Sequence, residues 1–310
     1  MSVVDGVDFP VMKTYIDCIP CLVKQALSAV RLATVDEIVQ ERGLREILSK
    51  ISELDLASSP PAMGGEMHRL IRSLTGKDDP YQELKQEYNR FALSSYPRLK
   101  ELVRTSDQPL ETAARLAIAG NIIDFGANLD IDQVMVDQTI QQSLTEPLFG
   151  DMAAFSQAVS GAGNILYLAD NTGEIVFDRL LIEAIGPEKV ILAVRGGPVI
   201  NDATMADARF CGLTDIVRVI DNGTDIPGTI LPACSRSLVR AFEAADLIIA
   251  KGQGNYETLS DNVDGHDIFF LFKTKCPVAA RDIGCQVGRC VVARKTPEGV
   301  SARERRRSQR

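Results

Sequence analysis

Short polar segments follow five apolar, β-branched runs in the second half of the sequence, and each segment is rich in glycine, amide, carboxylate or basic side chains. The runs, each with the polar segment after it, are Ile165–Ala169 before Asp170–Glu174, Val190–Val194 before Arg195–Pro198 and Asn201–Asp202, Ile216–Ile220 before Asp221–Asp225, Leu247–Ala250 before Lys251–Glu257, and Ile268–Phe272 before Lys273–Cys276. Ligands bind beyond the carboxyl ends of strands in open parallel sheets. If these runs are parallel strands, the five segments share one edge and form one site.

The first polar segment carries side chains suited to a divalent cation. Asp170 and Asn171 offer hard oxygen ligands, and Gly173 lets the backbone approach a ligand closely. Asp207, in a predicted helix further on, would complete a set of two carboxylates and one amide. Such a set cancels the charge of the ion and leaves coordination positions for water and a phosphate oxygen. We therefore expect a metal site at Asp170, Asn171 and Asp207, which would also be the catalytic residues.

Groups suited to a phosphate occur in the same segments. Glu174 would begin the next helix, whose free N–H groups favour an anion. Lys251 and Lys275 are expected to contact phosphoryl oxygens, because an ammonium group is a compact positive charge. Gly252 and Gly254 would expose backbone N–H groups to the same anion.

Ordinary structural roles are open for the same residues. Asp170 or Asn171 could be a plain helix N-cap, Asp207 a solvated helix residue, and either lysine a solubilising charge. The attacking group in a hydrolysis also stays open, since a water molecule and a carboxylate such as Asp170 would both serve.

The spacing of the cysteines is a second feature that could carry chemistry. Cys18 and Cys21 are separated by two residues, a gap suited to metal binding or redox chemistry, although simple packing is also open. Cys285 and Cys290 could supply a second pair. The chain has seven cysteines, an odd number, which argues against a disulfide framework.

The pattern of apolar residues predicts the elements that would position these side chains. In the first part of the chain, apolar residues recur at three- and four-residue spacing, which indicates helices. These predicted helices are Cys21–Val30, Val35–Leu48, Tyr81–Leu93 and Leu110–Ile123. Beyond residue 160 the apolar runs, the last of them Val287–Ala293, alternate with helical segments such as Ile175–Ile185 and Ser235–Ala245. Alternation of this kind predicts parallel strands with crossover helices.

We therefore expect an α/β protein with a helical amino-terminal domain over residues 1–155. A domain over residues 156–295 would bind metal and phosphate, and residues 296–310 would form a basic, disordered tail.

Composition excludes several classes of protein. With 45% hydrophobic and 25% charged residues, the chain of 310 residues has the composition of a globular protein. No run approaches the ~18 apolar residues of a membrane span, and the first ten residues lack the order of a signal peptide, so we expect a soluble, cytoplasmic protein. The net charge of −8 argues against nucleic-acid binding. The phosphate loop of nucleotide hydrolases and the dinucleotide fingerprint are missing, and two histidines are too few for a histidine-rich zinc hydrolase.

Taken together, the motifs resemble the metal-dependent damage-control phosphatases, also known as domain-of-unknown-function family 89. The residues that carry the resemblance are Asp17–Cys21, Asp79–Tyr81 with Lys85 and Asn89, Gly120–Asp124, Asp170–Glu174, Asn201–Thr204 leading to Asp207, and Lys251–Glu257. The resemblance covers nearly the whole chain, and the amino-terminal cysteine pair is similar to that of the prokaryotic branch.

The resemblance implies a helical amino-terminal part joined to a Rossmann-like α/β/α core with a mainly parallel sheet. It implies a divalent ion (Mg²⁺, Mn²⁺, Co²⁺ or Ni²⁺) on Asp170, Asn171 and Asp207, and a phosphate-binding lysine that most resembles Lys275. Its motifs assign further residues to substrate or phosphate binding, namely Asn201, Asp202, Asn255, Asn121 and Asp124.

The implied activity is metal-dependent hydrolysis of phosphoric monoesters of small metabolites, either sugar phosphates or damaged phosphometabolites. Two alternatives are a metal- or metabolite-binding protein without turnover and a protein-carboxyl methyltransferase.

Overall fold

The chain folds into helices over its first half and alternating strands and helices over its second. This computed structural model describes residues 12–120, 133–261, 265–296 and 299–301. The helices of the first half are α1 (Ile19–Ala33), α2 (Glu37–Ser52), α3 (Pro60–Thr75), α4 (Gln82–Thr105), α5 (Pro109–Gly120), α6 (Gln133–Thr145) and α7 (Met152–Gly161). Those of the second half are α8 (Glu174–Ile185), α9 (Met205–Phe210), α10 (Arg236–Glu243), α11 (Gly252–Leu259) and α12 (Pro277–Ile283). The strands are β1 (Phe149–Gly150), β2 (Ile165–Leu168), β3 (Val190–Val194), β4 (Arg218–Asp221), β5 (Leu247–Lys251), β6 (Ile268–Lys273), β7 (Cys290–Thr296) and β8 (Gly299–Ser301).

Local capping chemistry sets several helix ends. The Asp36 carboxylate accepts hydrogen bonds from the N–H groups of Ile38 and Val39 and so begins α2. Ser59 caps α3, which has proline in its first turn and ends at Gly76 in the left-handed conformation. These residue types are helix start and stop signals. The apolar spacing predicted a helix in the region of α2, whereas α3 was not among the predicted helices.

The sheet is mainly parallel, as predicted. Within the described residues its order is β1-β7-β6-β5-β2-β3-β4, and β8 pairs with β7. The five adjacent strands β6, β5, β2, β3 and β4 are mutually parallel, whereas β7 is antiparallel to β6. The five polar segments therefore follow strands that end at the same edge, called the polar edge from here on. The chain runs outward from β2 to β4 and then returns to β5 on the other side of β2, so the switch point of the topology lies between β2 and β5.

Two strands begin later than predicted. The N–H groups of Ile216 and Val217 bond to the carbonyl oxygen of Leu213, which makes them part of a turn before β4. Val287 is exposed and precedes Gly288, whose φ is +88° and whose N–H bonds to Thr274, so β7 begins only at Cys290. In both cases apolar residues in a turn extended the apparent run.

The sheet has a hydrophobic core on each face, which gives the three-layer α/β/α arrangement. Along β2, Ile165 and Tyr167 face one core while Leu166 and Leu168 face the other, because successive strand residues point to opposite faces. The first core is covered by α4 to α9, and the second by α10, α11 and α12. A smaller core joins α1, α2 and α3.

The first core draws on residues from both sides of position 155, including α5 and β2, and β1 joins the sheet. The segment assigned to the tail begins with the end of β7 and with β8, and residues 302–310 lie outside the described residues. In the part of the chain that is described, no helix has both the length and the apolar character that crossing a membrane requires.

Candidate active site

The loop after β2 brings Asp170 against the start of α11, at the switch point of the sheet. Asp170 is buried, and its backbone oxygen accepts a hydrogen bond from Ala203 N–H at 2.8 Å. Its carboxylate lies so close to Gly252 that a Cβ at residue 252 would stand 1.9 Å from Oδ2. Gly252 also has a φ of +79°, which favours glycine. The contact between the two predicted residues therefore requires glycine at position 252.

Asn171 is oriented by two carboxylates. Its Nδ2 donates to Asp170 Oδ2 at 2.7 Å and to Glu174 Oε2 at 3.1 Å. Asn171 also forms an isolated antiparallel bridge with Asp202. Since the amide protons point at carboxylates, the carbonyl oxygen of Asn171 points away from them. That oxygen is the atom with which an asparagine binds a metal ion.

Glu174 is held from inside the protein by Lys251. Lys251 Nζ is fully buried and donates to Glu174 Oε1 at 2.6 Å, to Asp178 Oδ1 at 2.5 Å and to the backbone oxygen of Ala117 at 2.9 Å. These three bonds use all the protons of the ammonium group. Burial alone lowers the pKa of Lys251, but the Asp178 and Glu174 carboxylates raise it above its ordinary value. Lys251 thus lies beneath the polar edge, with no exposed surface.

Asp178 belongs to this buried network although sequence reasoning did not single it out. It accepts a hydrogen bond from the Tyr167 hydroxyl at 2.7 Å, and its Oδ2 has no partner among the described residues. Burial raises the pKa of Asp178 to about 6, against the lowering effect of Lys251. Glu174 and Asp178 are four residues apart and so share one face of α8, whose other buried residues are apolar. That spacing was the available signal.

A buried arginine lies between two carboxylates at the same edge. Arg195 Nε donates to Asp202 Oδ2 at 2.6 Å, and its Nη2 lies 4.0 Å from Asp170 Oδ1. Burial raises the pKa of Asp170 to about 8, and the carboxylates of Glu174 and Asp202 act in the same direction. Arg195 and Lys275 oppose this rise. Four buried carboxylates, those of Asp170, Glu174, Asp178 and Asp202, thus share two buried cations, Arg195 and Lys251.

Asp207 is linked to the loop after β2 through Asn89. Asp207 Oδ2 accepts hydrogen bonds from the Thr204 N–H at 2.9 Å and hydroxyl at 2.7 Å, which forms a capping box at the start of α9. Asp207 Oδ1 accepts from Asn89 Nδ2 at 2.9 Å, and Asn89 Oδ1 accepts from Gly173 N–H at 2.8 Å. One side chain thus joins the two segments, and the sequence offered Asn89 only as part of the resemblance.

Lys85 completes the network on the α4 side. Its Nζ lies 3.4 Å from Asp207 Oδ2 and 3.2 Å from Asp79 Oδ2, and its side chain is almost fully buried. Lys85 and Asn89 therefore both contact Asp207, and Asp79 contacts Lys85. All three residues belong to a motif of the family resemblance to which the sequence assigned no role.

Two predicted amide residues have internal roles in the structure. Asn255 Nδ2 donates to the backbone oxygens of Lys251 at 2.7 Å and Ala169 at 3.2 Å, and its Oδ1 accepts from the Thr229 hydroxyl. The backbone oxygen of Asn201 accepts from Thr172 N–H at 2.8 Å and so ties two loops together. Asn255 is buried, whereas Asn201 is half-buried.

Lys275 is the predicted lysine on the exposed side of the polar edge. Its backbone N–H donates to Gln253 Oε1 at 3.1 Å, and its charge lowers the pKa of Asp170. Lys275 is exposed, unlike Lys251. Asn121 and Asp124 lie outside the described residues.

A cavity of about 310 Å³ opens beside these residues. Its lining residues are Asp79, Arg195, Gly196, Gly197, Pro198, Thr204, Met205, Ala206 and Asp221. In the described part of the chain, no three His, Cys, Asp or Glu side chains are grouped so that they could hold a metal ion. The predicted set contains the Asn171 amide, which is not among those types, and a metal at Asp170, Asn171 and Asp207 stays a prediction.

Comparison with known proteins identifies relatives over most of the chain. The family model described as the damage-control phosphatase ARMT1-like domain matches residues 14–291. An uncharacterised protein of Methanocaldococcus jannaschii, MJ0202, is 36% identical over 293 residues, which cover 90% of this chain and 94% of the relative. The damage-control phosphatase PH1575 of Pyrococcus horikoshii is 35% identical, covering 91% and 98%. A damage-control phosphatase of Archaeoglobus fulgidus is 35% identical, covering 87% and 95%.

The structural comparison agrees with the sequence comparison. The crystal structure of PH1575, described as a DUF89 family protein, superimposes with a TM-score of 0.82 over 91% of this chain and 98% of that chain. The sequence identity over this match is 35%. The α/β fold predicted from the alternating pattern, and the family resemblance, are both confirmed.

Proposed function

Because this chain belongs to the damage-control phosphatase ARMT1-like family, we propose that it is a metal-dependent phosphatase of small phosphorylated metabolites. The proposed substrates are phosphoric monoesters, either sugar phosphates or damaged phosphometabolites. The observation that carries the proposal is the surplus of buried carboxylates at the polar edge, where Asp170, Glu174, Asp178 and Asp202 are paired with two buried cations, Arg195 and Lys251. A divalent cation would offset that surplus.

The donors present fit such a cation. Asp170 supplies a carboxylate at the switch point, and the Asn171 carbonyl oxygen is directed away from its two carboxylate partners. Asp207, connected to the same loop through Asn89, would be the third ligand. When bound, Mg²⁺, Mn²⁺, Co²⁺ or Ni²⁺ polarises the phosphoryl group and offsets the charge that develops on it.

We assign the other predicted residues by their exposure. Lys275 is exposed and would contact the phosphoryl oxygens, together with backbone N–H groups at the start of α11. Lys251, which sequence reasoning placed on the phosphate, instead would position Glu174 and through it Asn171. The alcohol part of the ester would occupy the cavity of about 310 Å³.

The test is an assay of purified protein with p-nitrophenyl phosphate and a panel of sugar phosphates. After removal of metals by a chelator, we expect turnover to be lost and to return with one of the four ions. Asp170→Asn and Asp207→Asn should lack this turnover, whereas Asp215→Asn, an exposed carboxylate before β4, should retain it. Absence of turnover with every ion would overturn the proposal and favour a binding protein without catalysis.

A further inference from the structure

Two cysteines, Cys18 and Cys21, stand three residues apart at the start of α1, and neither has a role in the proposed hydrolysis. Cys18 is the N-cap residue of α1, and Cys21 is in its first turn. Residues three apart on a helix have Cβ atoms about 5–6 Å apart, and small rotations at the cap bring such a pair within disulfide range. Cys21 is exposed and Cys18 is half-buried. The pair is therefore accessible from one side.

The start of α1 is bonded to α12, whose N-cap residue, Cys276, carries a third thiol. Arg281 of α12 donates to Asp17 Oδ2 at 3.1 Å, which connects the residue before Cys18 to α12. Cys276 is the N-cap residue of α12, and both Cys18 and Cys276 pack against the second core. Burial raises the pKa of Cys18, and Glu257 and Cys276 are among the groups that raise it further.

The third thiol already has partners. Cys276 Sγ accepts hydrogen bonds from Ala279 N–H and from Gln253 Nε2, both at 3.4 Å. Cys18, in contrast, makes no side-chain capping bond to α1. Cys276 therefore caps its helix through its thiol, whereas Cys18 does not cap α1 and instead packs against the second core.

The other predicted pair is divided between the two sides of the sheet. Cys290 is buried in the first core, on the opposite face from Cys18. Cys285 packs against the second core, and its thiol donates to the backbone oxygen of Gln286 at 3.4 Å. The described cysteines and carboxylates do not form a group of three that could hold a metal ion. This arrangement favours chemistry between two thiols over a four-cysteine metal site.

From this geometry we propose that Cys18 and Cys21 form a thiol–disulfide exchange site whose substrate is a low-molecular-weight disulfide, RSSR. The Cys21 thiolate attacks one sulfur of RSSR, the S–S bond breaks, and one RS⁻ leaves and takes up a proton. The Cys18 sulfur then attacks the Cys21 sulfur of the mixed disulfide, loses its proton and expels the second RS⁻. The protein dithiol is oxidised by two electrons, and RSSR is reduced to two RSH.

The experiment uses the full-length, reduced protein and oxidised glutathione. After incubation and acid quenching, free thiols are counted in denaturant and disulfides are located by peptide mapping. We expect the count to fall by two from the seven cysteines of the chain, with Cys18 and Cys21 joined in one disulfide. The readout is independent of hydrolysis, so it does not depend on the proposed phosphatase activity.

Variants separate the two thiols. Cys18→Ser should trap Cys21 as a stable mixed disulfide with glutathione, because the second attack is removed, whereas Cys21→Ser should react far more slowly. Cys234→Ser is the matched control, since Cys234 packs against the same core but bonds to the backbone oxygen of Ile230. After incubation with oxidised glutathione, the Cys234→Ser variant should lose two free thiols, as the unchanged protein does.

Three outcomes would overturn the proposal. They are an unchanged thiol count, a disulfide that includes Cys276 or Cys285, and purified protein that carries stoichiometric zinc released by Cys18→Ser. If a serine variant fails to fold, peptide mapping of the unchanged protein decides the question by itself.

Discussion

The loop after β2 and the junction between β5 and α11 contain similar residue types but place them differently. The two strands are parallel neighbours, and a glycine with positive φ follows each of them, Gly173 at +73° and Gly252 at +79°. In the loop after β2, Asp170 lies at the polar edge beside the half-buried amide of Asn171. At the β5–α11 junction, Lys251 and Asn255 are fully buried and bonded inside the protein.

This difference shows that a polar motif at a strand end can support a neighbouring polar segment from inside the protein. A cluster of carboxylates at one edge repels itself unless a cation lies close by. The β5–α11 junction supplies that cation from inside, through Lys251, and its glycine allows the Asp170 carboxylate to approach. The junction thus holds the carboxylates that the loop after β2 and the start of α8 carry.

Replacing Lys251, the buried cation, should have the largest effect of the substitutions considered, a loss of folding stability. Lys251→Met leaves Glu174 and Asp178 without their partner, and we expect the free energy of unfolding to fall by about 3–5 kcal/mol. Denaturant titration followed by circular dichroism measures the change. Lys275→Met should change stability by less than about 0.5 kcal/mol, because Lys275 is exposed.

A second substitution tests whether charge causes that loss. If it does, adding Asp178→Asn to Lys251→Met should recover part of the stability, since one uncompensated carboxylate is removed. Equal stability of the single and double variants would show that lost packing, and not charge, is responsible.

The contact between Asp170 and the start of α11 can be tested at Gly252. Gly252→Ala incurs left-handed backbone strain of about 1–2 kcal/mol, and its methyl group would also displace the Asp170 carboxylate. Gly76→Ala is the matched control, because Gly76 has a φ of +67° with no atom within 4 Å of its Cβ position. We expect Gly252→Ala to be the less stable variant in thermal unfolding and to be inactive toward p-nitrophenyl phosphate. Similar stability and full activity in both variants would contradict the observed packing.

Lys275 should affect hydrolysis without affecting stability. We expect Lys275→Met to reduce kcat/KM by about a hundredfold, the size of effect that a lost charge-stabilising group produces. Lys273→Met is the control, since the Lys273 charge acts on Cys290 in β7. Steady-state kinetics of both variants at saturating metal gives the comparison, and a larger loss for Lys273→Met would reassign the phosphate contact.

Replacing Asn89 should have the smallest effect of these substitutions, a loss of affinity for the metal ion. Asn89→Ala removes the link between Asp207 and Gly173, and loss of a residue that orients a metal ligand weakens metal binding by about tenfold. Calorimetric titration with Mn²⁺ measures the affinity. Asn164→Ala, at the opposite edge of the sheet, should bind Mn²⁺ like the unchanged protein, and equal affinity in all three proteins would separate Asn89 from the metal site.

Much of the fold was predictable because local signals carry it. Asp36, Ser59 and Gly76 mark helix ends by side-chain chemistry that acts within a few residues. The apolar runs that became β2, β3, β5 and β6 were recognisable because strands covered on both faces are apolar along their length. The late starts of β4 and β7 were not recognisable, since an apolar residue in a turn looks like one in a strand.

The location of the candidate site at one edge of the sheet was predictable, but the orientation of its side chains was not. Parallel strands end at one edge, so the positions of Asp170, Lys251 and Lys275 along the chain were enough to bring them to one region. Whether each lysine points outward or inward depends on what packs around it. The carbonyl of Ala117 and the carboxylate of Asp178, both remote in sequence from Lys251, decide that it is buried.

The sequence by itself determined the α/β alternation, the glycines at the strand ends and the residue types at the polar edge, because these depend on spacing and on intrinsic chemistry. Only the tertiary structure decided that Lys251 supports Glu174 from inside, that Asn89 joins Asp207 to the loop after β2, and that Cys276 and Cys18 pack against the same core. The physical reason is that hydrogen bonds and buried charges act over a few ångströms, between residues that the chain separates by tens to hundreds of positions.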